Sequence, residues 1–276
     1  MARATSGPQF CGARAAPMAV DVVPVRAHHM GLAQLVANRR RGARGRARLK
    51  PPQSGSGLNE LAIGATDVNA TRYTLYGRAG SGSDIIRMLL EEIGAPYDLI
   101  AVGRDLAEVE RYRRVNPTGK IPTLVLPQGL AMFESAAICV HLAALHSEAR
   151  LAPPPATPEH ARFLQWMIYL SANLYECALR IYYSERYSLG GESAAEGVRQ
   201  KASQDFLTIL SVIAPALSPY VLGREISAAD YYLYVVAGWY PAGREPLHVR
   251  WPALALHTKL LAARPSVRTV EADGSA

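Results

Sequence analysis

A proline-rich segment near the middle of the chain most limits the fold. Residues 151–158 read Leu-Ala-Pro-Pro-Pro-Ala-Thr-Pro, with four prolines in six positions. Proline lacks a backbone N–H and its ring clashes with the preceding helical turn, so no helix can run through this segment. We therefore predict a linker at residues 150–158 that separates two parts with different periodicity.

The part before the linker, residues 71–149, alternates strands and helices. The patterns predict strands at 73–76, 97–102, 123–126 and 130–133, and helices at 85–93, 106–115 and 135–145. A helix between the first two strands makes them a parallel pair. Pro127-Gln128-Gly129 is short enough to make the last two an antiparallel hairpin. The order βαβαββα predicts an α/β domain.

The part after the linker, residues 159–270, is predicted to be all helical. Apolar residues recur every three or four positions, as in Phe163, Met167, Leu170 and Leu174. Ser227-Ala228-Ala229-Asp230 fits a capping box, with Asp where Glu is commoner. It precedes a helix over 231–239, whose unbroken apolar character predicts a central position. A last helix is expected over 252–263.

The net positive charge of the chain comes from residues 1–70. The net charge is +7, and these residues hold ten Lys and Arg against three acids. Their Ala, Arg, Gly and Pro composition predicts a disordered basic extension. It could be an organelle transit peptide, a nucleic-acid-binding arginine cluster at 39–48, or an extension without a role. The balanced charge of residues 71–276 argues against a nucleic-acid partner.

Cysteine usage and hydropathy indicate a cytoplasmic protein. Cys11, Cys139 and Cys177 form no CxxC pair, which argues against structural zinc or disulfides and for a reducing compartment. We expect no metal site. No uncharged apolar run of 18 residues is present, so no membrane span is predicted.

Three motifs follow one another in the chain. They are 116–124 (Asn-Pro-Thr-Gly-Lys-Ile-Pro-Thr-Leu), 133–138 (Phe-Glu-Ser-Ala-Ala-Ile) and the capping box at 227–230. With these motifs and the two-part layout, residues 72–270 resemble the cytosolic glutathione S-transferase superfamily, of bacterial type and with no class assigned. The resemblance implies a thioredoxin-like N-terminal domain, an all-helical C-terminal domain and a homodimer.

The resemblance also implies a function. It indicates a detoxifying enzyme that uses glutathione as cosubstrate and activates its thiol, either to attack a small electrophile or to reduce a peroxide. The alternative is a catalytically silent, transferase-like module that binds glutathione or a protein partner.

The resemblance places glutathione on two of the motifs. It implies a cis peptide bond before Pro122, so that the backbone of Ile121 pairs with the cysteinyl part of glutathione. Glu134 and Ser135 would bind the ammonium and carboxylate of the γ-glutamyl group. Lys120 would meet the glycyl carboxylate. In the alternative interpretation, Pro122 only shapes a turn, Ser135 caps the helix and Lys120 is a solvated turn lysine.

The loop Gly77-Arg78-Ala79-Gly80-Ser81-Gly82-Ser83-Asp84 joins a strand to a helix and is a candidate anion site. A free thiol has a pKa of about 8.5, so activation requires a group that stabilises the thiolate. By the resemblance, the serine of the Ser-type classes falls on Gly80 and the cysteine of a bacterial class on Gly82. We therefore predict Ser81 and Ser83 as the catalytic donors.

Three alternatives to catalytic loop serines stay open. Either serine could instead cap the helix, with Asp84 completing a box with Ser81. Backbone N–H groups could also stabilise the thiolate alone. Gly77 and Gly82 have the GxxxxG spacing of a phosphate-binding loop, but Ser83 stands where such a loop requires lysine.

A tyrosine-rich stripe in the helical part is the candidate for the electrophile pocket. The resemblance implies that the first helix of that domain lines the pocket, and we predict that Trp166, Tyr169, Tyr182 and Tyr183 form it; Tyr175 and Tyr187 belong to the same stripe. Aromatic rows at helical spacing are otherwise typical of a core.

Overall fold

The computed structural model describes residues 72–103 and 105–274. The predictions for the basic extension at 1–70, including the one for Cys11, lie outside the described residues. No helix in the described part of the chain is long and apolar enough to cross a membrane.

A mixed four-stranded sheet forms the first part of the fold. Its strands are β1 (Tyr73–Gly77), β2 (Tyr97–Ala101), β3 (Thr123–Val125) and β4 (Ala131–Phe133), in the order β2-β1-β3-β4. β1 runs parallel to β2, with Tyr73 opposite Tyr97, and antiparallel to β3. β3 and β4 form the predicted antiparallel hairpin. The thioredoxin-like fold class is confirmed.

Three helices accompany the sheet, namely α1 (Ser83–Ile93), α2 (Leu106–Tyr112) and α3 (Ser135–Leu145). α3 has the predicted bounds. α1 begins two residues before the predicted start and ends at Ile93, directly before Gly94, which has a left-handed φ of 72°. α2 ends three residues early, because Val115 and Asn116 turn back onto the carbonyl of Tyr112.

The second part of the structure is helical. Residues 151–157 contain no helix, and α4 begins at Pro158, where Thr157 Oγ1 accepts from the His160 N–H at 3.1 Å. Its helices are α4 (Pro158–Tyr169), α5 (Glu176–Tyr182), α6 (Gly191–Ile213), α7 (Ala228–Ala237), α8 (Glu245–Arg250), α9 (Pro252–Ala262) and α10 (Pro265–Gly274). A π-helical turn, Leu170–Tyr175, joins α4 to α5.

The prediction that the helix over 252–263 is the last one was wrong, because α10 follows it. Pro265 ends the preceding helix and is well suited to the first position of a new one. Residues 265–274 are polar on most sides, and only a few of them, among them Val267 and Val270, are buried. The short apolar pattern gave no clear helical signal.

α7 lies in the centre of the helical part, and all ten of its residues are buried. The predicted capping box is present: the Ser227 N–H donates to Asp230 Oδ2 at 2.8 Å. Asp230 Oδ1 accepts from the Val221 N–H at 2.7 Å and lies 3.0 Å from His257 Nε2. The carboxylate therefore holds together α7, α9 and the segment before α7.

Candidate functional site

A cavity of about 90 Å³ lies where the segment before β3, the β4–α3 junction and the helical part meet. The residues predicted to bind glutathione, Lys120, Ile121, Pro122, Glu134 and Ser135, all lie on its wall. The remaining lining residues are Asn116, Thr118, Phe133, Ser171, Tyr175 and Tyr232. The structure thus brings together two motifs that are separated in sequence.

The segment before β3 presents backbone groups to this cavity. The Ile121–Pro122 peptide bond is cis. Asn116 Nδ2 and the Tyr112 hydroxyl both donate to the Lys120 carbonyl at 2.8 Å, which fixes the segment in place. The N–H and C=O of Ile121 have no hydrogen-bond partner among the described residues. Both are therefore available to an extended ligand backbone.

The β4–α3 junction supplies charge and donors. Glu134 has a φ of 70°, a left-handed conformation that costs a non-glycine residue about 1–3 kcal/mol and that clusters at functional sites. Its carboxylate is exposed, whereas Ser135 is buried at the start of α3. The first N–H groups of α3 have no helical acceptor, and the helix dipole favours an anion beside them.

Tyr232 and Tyr175 bring phenol groups from the helical part. Tyr232, on α7, is fully buried, and its hydroxyl lies 2.8 Å from Ser135 Oγ. Burial raises the pKa of Tyr232, and it raises the pKa of Tyr175 to about 12. Both phenols are consequently neutral at pH 7 and able to donate hydrogen bonds.

The two loop serines are hydrogen-bonded within their own loop. Ser83 is buried, and its Oγ accepts from the Arg78 N–H at 3.0 Å and lies 2.8 Å from the Arg78 carbonyl. Ser81 Oγ lies 2.7 Å from both that carbonyl and Ser83 Oγ. Each hydroxyl has one hydrogen to donate, and both of these hydrogens are taken up by bonds within the loop. Neither serine belongs to the cavity wall.

The described cysteines are not nucleophiles. Cys139 and Cys177 are buried and unpaired. Burial raises the pKa of Cys139, and it raises the pKa of Cys177 to about 11, so both stay protonated at pH 7. Among residues 72–103 and 105–274, no three His, Cys, Asp or Glu side chains are grouped as metal ligands would be.

Known proteins resemble this chain in sequence and in fold. A family model, "Glutathione S-transferase, N-terminal domain", matches residues 83–145. The chain is 29% identical over 171 residues to the uncharacterized GST-like protein YncG of Escherichia coli (strain K12), a match that covers 60% of this chain and 82% of YncG. Glutathione S-transferase GstA of Escherichia coli O157:H7 is 24% identical, with 72% and 98% covered.

Solved structures agree with the sequence relatives. A glutathione transferase homologue from Sulfitobacter, solved with bound glutathione, matches with a TM-score of 0.67 and 25% identity, over 75% of this chain and 100% of that one. This chain belongs to the cytosolic glutathione S-transferase superfamily. The resemblance seen in the three sequence motifs is thereby confirmed.

In this chain, none of the four aromatic residues predicted for the electrophile pocket lines the cavity. The Tyr169 hydroxyl donates to the Ile209 carbonyl of α6 at 3.1 Å, and Trp166 packs edge-on against Tyr169. The Tyr182 hydroxyl donates to the Trp239 carbonyl at 2.7 Å. Tyr183 packs under the Arg186 guanidinium, 4.1 Å from the ring centre.

The lining residues that lie outside the predicted glutathione motifs are Ser171, Tyr175 and Tyr232. Ser171 and Tyr175 are four residues apart and share one side of the π-helical turn. Tyr175 was visible as part of the tyrosine stripe, but the stripe alone does not show which members face the sheet part. Tyr232 sits in a helix that is apolar on all sides, so its sequence gives no sign of a polar role.

Proposed function

We propose that this transferase-family protein binds glutathione in the cavity and activates its thiol for attack on a small electrophile. One observation carries the proposal: the unpaired backbone of Ile121, the exposed carboxylate of Glu134 and the N-terminus of α3 at Ser135 meet on a single cavity wall. The Sulfitobacter homologue, which was solved with bound glutathione, supports it.

The cavity groups match the parts of glutathione. The γ-glutamyl carboxylate accepts from the Ser135 hydroxyl and N–H, and the ammonium pairs with Glu134. The cysteinyl N–H and C=O pair with the C=O and N–H of Ile121, as an added strand would. Lys120 is placed to meet the glycyl carboxylate.

The proposed reaction begins with loss of the thiol proton to solvent. The thiolate then donates an electron pair to an electrophilic carbon, so that an S–C bond forms and the leaving group departs with the pair from the broken bond. With a hydroperoxide, the sulfur attacks oxygen and the O–O bond breaks, which releases the alcohol. A second glutathione then converts the sulfenic acid to the disulfide and water.

We place the electrophile beside Tyr175, towards Tyr182 and Tyr183. The Trp239 ring lies 5.0 Å from the Tyr175 ring, and its carbonyl accepts from the Tyr182 hydroxyl. Tyr175, Trp239 and Tyr182 thus form a row of aromatic residues that leads from the cavity wall into the helical part. Tyr169, which bonds to the Ile209 carbonyl of α6, and Trp166, which packs against Tyr169, are then not part of that pocket.

A catalytically silent glutathione-binding module is the second candidate. It is favoured by the loop, because the Ser81 and Ser83 hydroxyls are both used within it. Measuring the pKa of the bound glutathione thiol, from the ultraviolet absorbance of the thiolate, separates the two candidates. An enzyme lowers this pKa below that of free glutathione, whereas a silent module leaves it unchanged.

Calorimetric titration with glutathione tests the binding site. We expect Ser135→Ala to weaken binding by about tenfold or more, since a hydrogen bond to a charged group contributes about 1.5–3 kcal/mol. Glu134→Ala is expected to weaken it similarly and to abolish retention on immobilised glutathione. Ser211→Ala, which alters an exposed serine on α6, is the matched control. Absence of binding by the unmodified protein would refute the proposal.

We also propose a cytoplasmic homodimer. Unpaired Cys139 and Cys177 fit a reducing compartment. Leu164 and Ile168 lie one helical turn apart on α4 with 38% and 62% of their surface exposed, and a second copy would cover them. Light scattering should give the mass of a dimer, and Ile168→Asp should give that of a monomer. If the unmodified protein and the Ile168→Asp variant both have the mass of one chain, the dimer is excluded.

A further inference from the structure

The Tyr175 hydroxyl occupies the space where a loop side chain would stand. A β-carbon on Gly82 would lie 2.5 Å from the Tyr175 hydroxyl oxygen and 3.0 Å from its Cε2. Gly82 has a φ of −60° and a ψ of −14°, a conformation open to any residue. The backbone therefore does not require glycine at position 82; the close approach of the phenol does.

The helical part holds this phenol in place. Tyr175 ends the π-helical turn between α4 and α5, and such turns, which insert an extra residue, are frequent at functional sites. Its ring packs edge-on against Trp239, at 5.0 Å, and tilted against Tyr232, at 6.0 Å. The ring is thus fixed on two sides while its hydroxyl points to the start of α1.

The Tyr175 hydroxyl has no hydrogen-bond partner among the described residues, and neither does the N–H of Gly82. The other hydroxyls nearby differ: Tyr232 is bonded to Ser135, and Ser81 and Ser83 are bonded within the loop. Tyr175 is only partly buried, so its hydroxyl remains accessible to a ligand. A free donor on the wall of a binding cavity, beside the N-terminus of α1, suits a ligand that carries negative charge.

We propose that the Tyr175 hydroxyl donates a hydrogen bond to the glutathione sulfur and stabilises the thiolate, in place of a serine or cysteine on the loop. The inference rests on the proposed function, which puts the cysteinyl group against Ile121 on the same cavity wall. It makes Tyr175 a catalytic residue contributed by the helical part. The two loop serines then keep the loop folded, and Gly82 leaves room for the phenol.

The charge state of Tyr175 fits a donor. Because burial raises its pKa to about 12, the phenol stays protonated at pH 7 and is no base for the thiol. The thiol proton leaves to solvent. The charged or ionisable groups that act on the phenol are Tyr183 and Glu134, which raise its pKa further, and Arg78, which lowers it. Arg78 also places a positive charge in the loop near the expected thiolate.

Tyr175→Phe tests the inference, because it removes only the hydroxyl. We expect the pKa of the bound glutathione thiol to rise by about 1–2 pH units, as befits loss of a hydrogen bond to a charged atom. Binding of S-methylglutathione, whose sulfur cannot ionise, should change less than about twofold by the same reasoning. The control is Tyr97→Phe, whose hydroxyl donates to Glu91 at the far end of α1, about 13 Å along the helix.

Gly82→Ala provides a second variant that leaves Tyr175 itself unchanged. Its methyl group displaces the phenol, so the thiol pKa should again rise. If the unmodified protein lowers the thiol pKa and both variants keep it low, the inference is wrong while the proposed function stands. If the unmodified protein binds glutathione without lowering the pKa, the inference is also wrong and the silent module is favoured. Absence of glutathione binding overturns the proposed function itself.

Discussion

At the scale of single residues, Ser83 combines a position suited to catalysis with bonds typical of a structural role. Its oxygen accepts the Arg78 N–H, and the residue is fully buried. We expect Ser83→Ala to lower the free energy of unfolding by about 1–3 kcal/mol, because that N–H loses its acceptor. The pKa of the bound thiol should not change. Urea unfolding and thiol titration check the two parts, and a clear rise in the thiol pKa would assign catalysis to Ser83.

Gly77 permits the close packing on which the same loop depends. A β-carbon at position 77 would overlap Cβ and Oγ of Ser83. Gly77→Ala should therefore reduce the free energy of unfolding by about 1–3 kcal/mol, a typical cost of overpacking.

Gly197→Ala is the matched control for Gly77→Ala. Gly197 lies on the exposed side of α6 with open space around it. Alanine there should stabilise the protein by about 0.5–1 kcal/mol, because glycine is a poor helix former. The midpoint temperatures of thermal unfolding of the two variants should shift in opposite directions. Equal shifts would show that the close contact of Gly77 with Ser83 does not contribute to stability.

At the scale of helices and strands, α7 depends on one buried carboxylate. Asp230 accepts the N–H groups of Ser227 and Val221 and lies beside His257 Nε2. Asp230→Ala leaves these donors buried and unpaired, at about 1–3 kcal/mol each, so we expect a loss above about 3 kcal/mol in urea unfolding. Asp205→Ala removes an ion pair on the surface of α6 and should cost less than about 1 kcal/mol. Similar losses in both variants would contradict this.

The elements predicted from the sequence were those with strong local signals. The bounds of α3, the parallel β1–β2 pair and the β3–β4 hairpin follow from apolar runs and turn residues. α1 was predicted to start late, since Ser83 and Asp84 are polar although Ser83 is buried. The cis bond at Pro122 and the position of Glu134 and Ser135 on the cavity wall match what the resemblance implied, and each belongs to a contiguous motif.

Tertiary contacts decided the rest of the site. Tyr175 reaches Gly82, 93 positions earlier in the chain, through the π-helical turn of 170–175. Such a turn changes which side of the helix each following residue occupies, and no periodicity in the sequence marks it. Tyr169, which precedes the turn in the same stripe, donates instead to the Ile209 carbonyl of α6.

At the scale of the whole molecule, ion pairs and a hydrogen bond link α10 and the residue before it to α1. Glu92 of α1 pairs with Arg264 and accepts from the Ser266 hydroxyl at 2.7 Å. Arg87, also on α1, pairs with Asp273 of α10 at 2.5 Å. Since α1 begins at the loop that faces Tyr175, these contacts also help to hold the loop against the helical part.

Glu92 makes this attachment sensitive to acid. Burial raises the pKa of its carboxyl, but the hydrogen bonds from Arg264 and Ser266 outweigh burial and lower the pKa overall. A carboxyl whose pKa is lower in the folded than in the unfolded state stabilises the protein at pH values above its unfolded-state pKa, about 4.3. That contribution is lost as the pH falls through the folded pKa.

Glu92→Gln should remove this pH-dependent contribution. We expect the variant to be less stable at pH 7 by about 1 kcal/mol, a modest value because solvent screens the half-buried pair. The difference should stay constant from about pH 6 to 8 and shrink below about pH 4, where the native carboxyl takes up its proton. Urea unfolding across this range measures it, with Glu225→Gln, at an exposed glutamate before α7, as the control. A difference that persists unchanged at low pH would mean that the charge of Glu92 does not join α1 to α10.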